Sequence, residues 1–265
     1  MLSFAASSYA WALSKKRGFW LIFDAHLHLV HSSLPDFSKT GKSVDFYAGV
    51  VCALSEDEFI KQEKIIDSIP QNSGISFFKS FGIHPQNPDF SYSEYLIQLL
   101  ENKKIDAVGE CGFDFFTQDF RSMSQKQEKV WNFQLEAAIK YGKPLVIHGR
   151  KCTERFFKDI KLLKKVKGVV FHSWAGTLTE ANSLLKKGVN AYFSFGKPIL
   201  NGKKSAIECV KFLEESRIVF ETDAPYQTLK GEEKILPEDI LKVYEQAEKL
   251  RGKKIEPDIT SLFKN

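Results

Sequence analysis

Phe19-Trp20-Leu21-Ile22-Phe23-Asp24-Ala25-His26-Leu27-His28 is an apolar run closed by an Asp-x-His-x-His stretch. Its continuous bulky apolar start reads as a buried strand. Strict alternation of strand side chains puts Asp24, His26 and His28 on one face and Ala25 and Leu27 on the other. Two imidazoles at that spacing reach one cation from a single rigid edge, and neutral imidazole is a ligand for zinc and other first-row divalent metals. The pair alone does not establish a metal; the other histidines and the acidic residues have to decide.

Outward from this run, short apolar stretches alternate with longer amphipathic ones. Strands are expected at 19–24, 46–54, 76–82, 105–110, 144–148, 168–172, 190–195 and 217–222, and helices at about 55–69, 91–103, 124–142, 153–165, 177–188, 203–216 and 237–250. The helix at 124–142 has the broadest apolar stripe, with Val130, Phe133, Leu135, Ala137, Ala138 and Tyr141, and Gly142 and Pro144 stop it. Eight strands separated by helices point to an α/β fold, a single (β/α)8 TIM barrel. The first connection, 29–45, lacks a helical pattern and is expected to be irregular. An open doubly wound sheet fits the same spacing. No linker or composition shift marks a second domain, so the barrel is expected over 19–265, with 1–18 as a poorly ordered extension.

The chemical residues fall at strand ends. Glu110 follows Val108-Gly109, His148 follows Leu145-Val146-Ile147, His172 follows Val169-Val170-Phe171, and Asp223 follows Glu221-Thr222. In a (β/α)8 barrel the carboxyl ends of the strands open onto one face, where active sites sit. Each residue taken singly reads as a satisfied core histidine, a helix cap or an ion-pair partner. Gathered at one mouth, six such groups are costly to bury unless a cation compensates them. The donor set is nitrogen and oxygen, which suits zinc, manganese, iron, cobalt or nickel. Six ligands exceed the needs of one catalytic zinc, so two ions bridged by a carboxylate, with water as nucleophile, is the sharper expectation.

Composition excludes several classes. Hydrophobic residues make up 43% and charged residues 27% of 265 positions, ordinary for a globular chain. No apolar run reaches the roughly 18 residues needed to span a bilayer. In the mildly apolar start, Lys15, Lys16 and Arg17 follow the apolar stretch, the wrong order for a secretory signal. Cys52, Cys111, Cys152 and Cys209 form no CxxC pair and read as free thiols in a reducing cytoplasm. The net charge of +5 leans towards anionic partners. The clusters Lys161, Lys164, Lys165, Lys167 and Arg251, Lys253, Lys254 read first as solvated helix faces, with a nucleic-acid footprint as the alternative.

Six motifs stand in the order seen in TatD-family metal-dependent hydrolases, which the chain resembles over roughly 20–265. They are Asp24-Ala25-His26-Leu27-His28-Leu29, Gly82-Ile83-His84-Pro85, Gly109-Glu110-Cys111-Gly112-Phe113-Asp114, His148-Gly149-Arg150, His172-Ser173-Trp174-Ala175-Gly176 and Glu221-Thr222-Asp223-Ala224-Pro225-Tyr226. The resemblance implies an amidohydrolase-like barrel, two divalent ions (Zn, Mn, Mg, Co, Ni or Fe) and phosphodiester hydrolysis on DNA, as an exonuclease on single strands or ends. It implies that His26, His28 and Asp223 hold one metal, and that Glu110 bridges to a second held by His148 and His172. Asp223 is the candidate general base. His84 and Arg150 are the candidate substrate-phosphate contacts, and Lys197 reads as a further positive charge or as a solvated lysine.

Three departures touch the substrate side. Gly149 replaces a serine, Ser173-Trp174-Ala175 replaces Cys-Phe-Ser, and the loop after Tyr226 is Gln227-Thr228-Leu229-Lys230-Gly231. Phe113, Phe115, Phe116, Trp174 and Tyr226 are placed either to stack bases or to pack loops. Two other functions remain on the sequence: hydrolysis of a small ester, amide, lactone or aminoacyl-RNA ester on the same metals, and silent nucleic-acid binding. No lysine ends a strand where a bridging carbamate would stand, since Lys143 precedes one and Lys197 follows one.

Overall fold

A computed structural model describes residues 20–229 and 231–264; the expected extension 1–18 and the first residue of the expected first strand lie outside them. The strands are β1 (Leu21–Leu27), β2 (Phe46–Ala53), β3 (Ile75–Phe81), β4 (Ala107–Asp114), β5 (Leu145–Arg150), β6 (Val169–Phe171), β7 (Ala191–Phe195) and β8 (Ile218–Phe220). They form one parallel sheet in sequential order. A doubly wound sheet would reverse its order at a switch point, so that alternative is excluded. Around the strands lie α1 (Glu56–Asp67), α2 (Ser93–Glu101), α3 (Gln118–Ser122), α4 (Ser124–Tyr141), α5 (Thr153–Lys158), α6 (Ile160–Leu163), α7 (Leu178–Lys186), α8 (Lys204–Phe212), α9 (Ile240–Arg251) and α10 (Thr260–Phe263).

The seam between β8 and β1 closes just past the end of β8. Asp223 N donates to His26 O at 2.9 Å and His28 N donates to Ala224 O at 2.8 Å. Beside these, Asp24 accepts from Thr222 N at 3.0 Å, Thr222 Oγ1 at 2.7 Å and Tyr47 OH at 3.1 Å. Burial pushes the Asp24 carboxyl up to about 7 against those bonds. The barrel interior is filled by Phe23, Ala25, Val50, Val146, Val170 and Val219, and α10 plugs it with Leu262 and Phe263. That short helix carries no periodicity long enough to be read from sequence.

Alternation fails where function begins. In β1, Asp24 pairs with Gly49 but Leu27 with Val51, one residue too many on β1. Phe23 and Ala25 face the interior while Leu27 packs with an outer cluster, so the extra residue turns His26 inward. Asp24 therefore does not share the face of His26 and His28, as strict alternation required; it points to Tyr47 and the seam. In β4 the register slips between Val108 and Cys111, two residues of the outer cluster, and Glu110 turns inward between them. Such bulges re-aim single side chains at the rims of barrels. Gly112, at φ +132°, lets β4 approach β5, because a Cβ there would stand 2.2 Å from His148 O.

Boundaries moved for local reasons. β1 and β4 run on to Leu27 and Asp114, past the expected ends at 24 and 110, because their backbones keep pairing after polar side chains begin. The expected helix 153–165 is two pieces broken at Asp159, whose carboxylate accepts from Trp131 Nε1 at 2.9 Å. The connection 29–45 carries only two 3-10 turns, as expected. All four cysteines are free and buried. Among the described residues no helix is long and apolar enough to cross a membrane.

Helix α4 also braces the mouth. Its apolar stripe contains two buried glutamines, Gln127 and Gln134, two turns apart. Gln134 accepts from Ile83 N at 2.8 Å and donates to Ile83 O at 3.1 Å. Gln127 accepts from Asp114 N and donates to Asp114 O, both at 3.0 Å. One helix thus fixes the backbone beside His84 and at the end of β4. Gln134→Leu strands a buried donor and acceptor, at about 1–3 kcal/mol each. A drop in unfolding free energy of about 2–4 kcal/mol is expected from urea titration, and a wild-type midpoint would show that the bracing bonds carry nothing.

Candidate metal centre

Glu110, 2% exposed, is the hub of the site. Its Oε2 stands 3.3 Å from His26 Nε2 and 3.6 Å from His28 Nε2. Its Oε1 stands 2.6 Å from His148 Nδ1 and 3.3 Å from both His84 Nε2 and His172 Nε2. Five of the six histidines thus surround one carboxylate; the sixth, His31, pairs with Glu58 on the rim at 2.9 Å. Asp223 Oδ1 completes one side, 3.5 Å from His26 Nε2 and 3.7 Å from His28 Nε2. Its φ of +54°, like +44° at Ser173 and +55° at Lys151, puts a non-glycine residue in the left-handed region at the rim. Such strain clusters at functional sites.

The spacings of 3.3–3.7 Å fit a divalent cation, whereas the 2.6 Å between Glu110 Oε1 and His148 Nδ1 is a direct hydrogen bond. Donors about 2.0–2.2 Å from a tetrahedral zinc stand about 3.3–3.6 Å from one another. The Nε2 atoms of His26 and His28 lie 3.1 Å apart, where at most one proton can sit between them. Three groups of donor atoms converge within 4.8 Å: His26, His28, Asp223; His26, Glu110, His172; and His84, Glu110, His148.

The outer ring nitrogens have unequal partners. His172 Nδ1 stands 3.1 Å from Glu221 Oε1, and His148 Nε2 stands 3.0 Å from Asp114 Oδ2. Among the described residues His26 Nδ1 meets the Cys52 thiol, at 3.3 Å, and no carboxylate. A carboxylate behind an imidazole fixes its tautomer and orientation and raises its basicity as a ligand. His84 differs: its Nδ1 accepts from Gln86 N at 3.2 Å, which leaves the proton on Nε2, the atom facing Glu110.

Charge follows the same geometry. Burial opposes ionisation of Glu110, but His84, His172 and His26 together hold its carboxyl well below the usual range. Burial likewise works against His172, yet Glu221, Glu110 and Asp223 raise it to about 10. Against burial, Asp114 is held down to about 2 by its bonds from His148, Gln86 and the backbone. Burial lowers His26 and His84, which the neighbouring Glu110 only partly offsets.

The structure gathers His26, His28, Glu110, His148, His172, Asp223 and His84 at one mouth, a cavity of about 690 Å³ that Arg150 also lines. Several other expectations change. Lys197 is not solvated: it is 1% exposed and ion-paired with Glu232, which also accepts from Leu229 N. Phe113 and Trp174 cannot stack bases. Phe113 packs on Trp131 and Phe156, and Trp174 on Phe171 and Phe193. Only Phe116 and Tyr226 of the five aromatic residues are broadly exposed, at 48% and 57%. Arg251 is no nucleic-acid contact, since its guanidinium donates to Val210 O and Leu213 O. Sequence reasoning passed over Asp114, Glu221 and Cys52. The two acids lie inside the motifs quoted above, but only the packing shows that they back imidazoles.

The model of the TatD related DNase family matches residues 23–265. An uncharacterized metal-dependent hydrolase, YabD of Bacillus subtilis (strain 168), is 26% identical over 222 residues, which is 78% of this chain and 82% of that one. The 3'-5' ssDNA/RNA exonuclease TatD of Escherichia coli (strain K12) is 25% identical over 225 residues, 83% of this chain and 82% of that one. Among solved structures, the TatD homologue YJJV of Escherichia coli K12 superposes with a TM-score of 0.71 at 24% identity, covering 89% of this chain and 91% of that one. With the family model matched over nearly all of the barrel, the chain belongs to the TatD related DNase family of metal-dependent hydrolases.

Proposed function

We propose that this hydrolase cleaves phosphodiester bonds of DNA with divalent metal, as an exonuclease on single strands or ends. The observation that carries the site is the two-ended Glu110 carboxylate: one oxygen faces His26 and His28, the other faces His148 and His172. In this reading His26, His28 and Asp223 would hold one ion and His148 and His172 a second, with the Glu110 carboxylate available to both. The names of the relatives, a 3'-5' ssDNA/RNA exonuclease among them, support the substrate class.

Divalent ions held there supply Lewis acidity, which polarises phosphoryl oxygens and makes water a nucleophile at neutral pH. The chain's own groups do the rest. Asp223, at the open edge of the centre, takes the proton from the attacking water. His84 stays neutral and donates from Nε2 to a phosphoryl oxygen, so it serves substrate and not metal. Glu221 and Asp114 hold the rings of His172 and His148 in one orientation. Gln227 ties the loop after β8 to the end of β6, donating to Ser173 Oγ at 2.7 Å.

Three outcomes are expected. Digestion of end-labelled single- and double-stranded DNA proceeds with added metal, stops with chelator, and falls by at least about a thousandfold in Glu110→Ala with unchanged circular dichroism; undiminished cleavage by that variant would remove Glu110 from the centre. Asp223→Asn keeps the fold and loses cleavage, and a variant as active as wild type would return the general base to another group. Glu221→Gln weakens metal affinity about 10- to 100-fold in competition with a chelator; wild-type affinity would mean that Glu221 only packs.

A further inference from the structure

On the rim, two cations lie over one exposed ring and a third stands near them. The Arg150 guanidinium lies 4.1 Å from the centroid of Phe116, and Lys151 Nζ lies 4.6 Å from the same centroid. The left-handed backbone at Lys151 turns the chain so that two consecutive cations approach one ring. Lys203, just before α8, lines the same mouth as Arg150. Partial burial, together with the nearby Arg150 guanidinium, pushes the Lys203 ammonium below its ordinary value. Among the described residues neither Lys151 nor Lys203 has a carboxylate within ion-pair distance. Arg150 Nη1 stands 3.6 Å from Asp114, which is already engaged by His148.

Three cations with one carboxylate, itself shared with His148, make a net positive rim that attracts an anion. Its place relative to the metal centre says which one. Arg150 touches Asp114 on the outer side of His148, whereas the scissile group sits on the inner side, at Glu110 and Asp223. Given the phosphodiesterase reading of the centre, we propose that Arg150 and Lys151, held over Phe116, together with Lys203 beside Arg150, bind a second phosphodiester of the strand, next to the one being cleaved. Phe116 holds Arg150 and Lys151 in place by cation–π contact. The subsite recognises the repeating charge of a nucleic-acid backbone and has no use for a substrate with a single phosphate.

The test uses the full-chain, metal-loaded enzyme with single-stranded octathymidylate and with bis(4-nitrophenyl) phosphate, which carries one phosphodiester. Wild-type kcat/KM on the octamer falls steeply with salt, while that on the single phosphodiester barely responds. The double variant Lys151→Ala/Lys203→Ala raises KM for the octamer about tenfold while kcat holds, and its salt slope is shallower by about 0.7 for each phosphate that is no longer neutralised. Lys161→Ala, an exposed lysine of α6, serves as the control and matches wild type. A double variant with wild-type KM and salt slope overturns the subsite while leaving the nuclease reading standing. A wild-type enzyme that hydrolyses the single phosphodiester but not the octamer overturns both.

Discussion

An ionised carboxylate held at 2% exposure inside a barrel is the constraint on which this structure turns. Glu110 is tolerable there because five imidazoles face it, and those imidazoles need it in return. Removing Glu110 takes the shared carboxylate from all five buried or half-buried imidazoles at once. The surrounding framework serves that cluster. Bulges in β1 and β4 turn His26 and Glu110 inward, Gly112 lets β4 close on β5, and the two glutamines of α4 hold the backbone beside His84 and at Asp114.

The closing seam is the second device. Thr222 and Tyr47 satisfy Asp24, and the main-chain bonds next to it join His26 and His28 directly to the segment carrying Asp223 and Ala224. Three proposed ligands from opposite ends of the chain are thereby fixed by barrel closure and not by loops, and strand ends hold such groups more firmly than loops do. The loop that follows is tied separately, through Ser173–Gln227 and Lys197–Glu232. Ser173 and Gln227 are among the residues at which the chain departs from the resembled pattern, so the first of these ties belongs to this chain's own sequence.

The inequality between the imidazoles extends that division. His148 and His172 are backed by carboxylates, while His26 is backed by a neutral thiol whose ionisation burial suppresses. His84 carries its proton towards Glu110 because Gln86 occupies its other nitrogen. Chemically similar rings thus differ in tautomer and basicity according to the atom behind each of them, which in the proposed reading lets one residue type serve both metal and substrate.

The sequence by itself determined the eight-strand alternation, the irregular first connection and the placement of His26, His28, Glu110, His148, His172 and Asp223 on or just after the strands, although Glu110 lies within β4 and not at its end. These were legible because hydrophobic periodicity and strand punctuation are local properties of the chain. It did not reveal which way Asp24 points, that Glu110 faces inward, that Lys197 is buried, or that Asp114 and Glu221 stand behind imidazoles. Only the tertiary structure decided these. A register slip exists only against a neighbouring strand, and the partner behind each ring is whichever side chain of another strand comes within about 3 Å, a distance that sequence spacing does not contain.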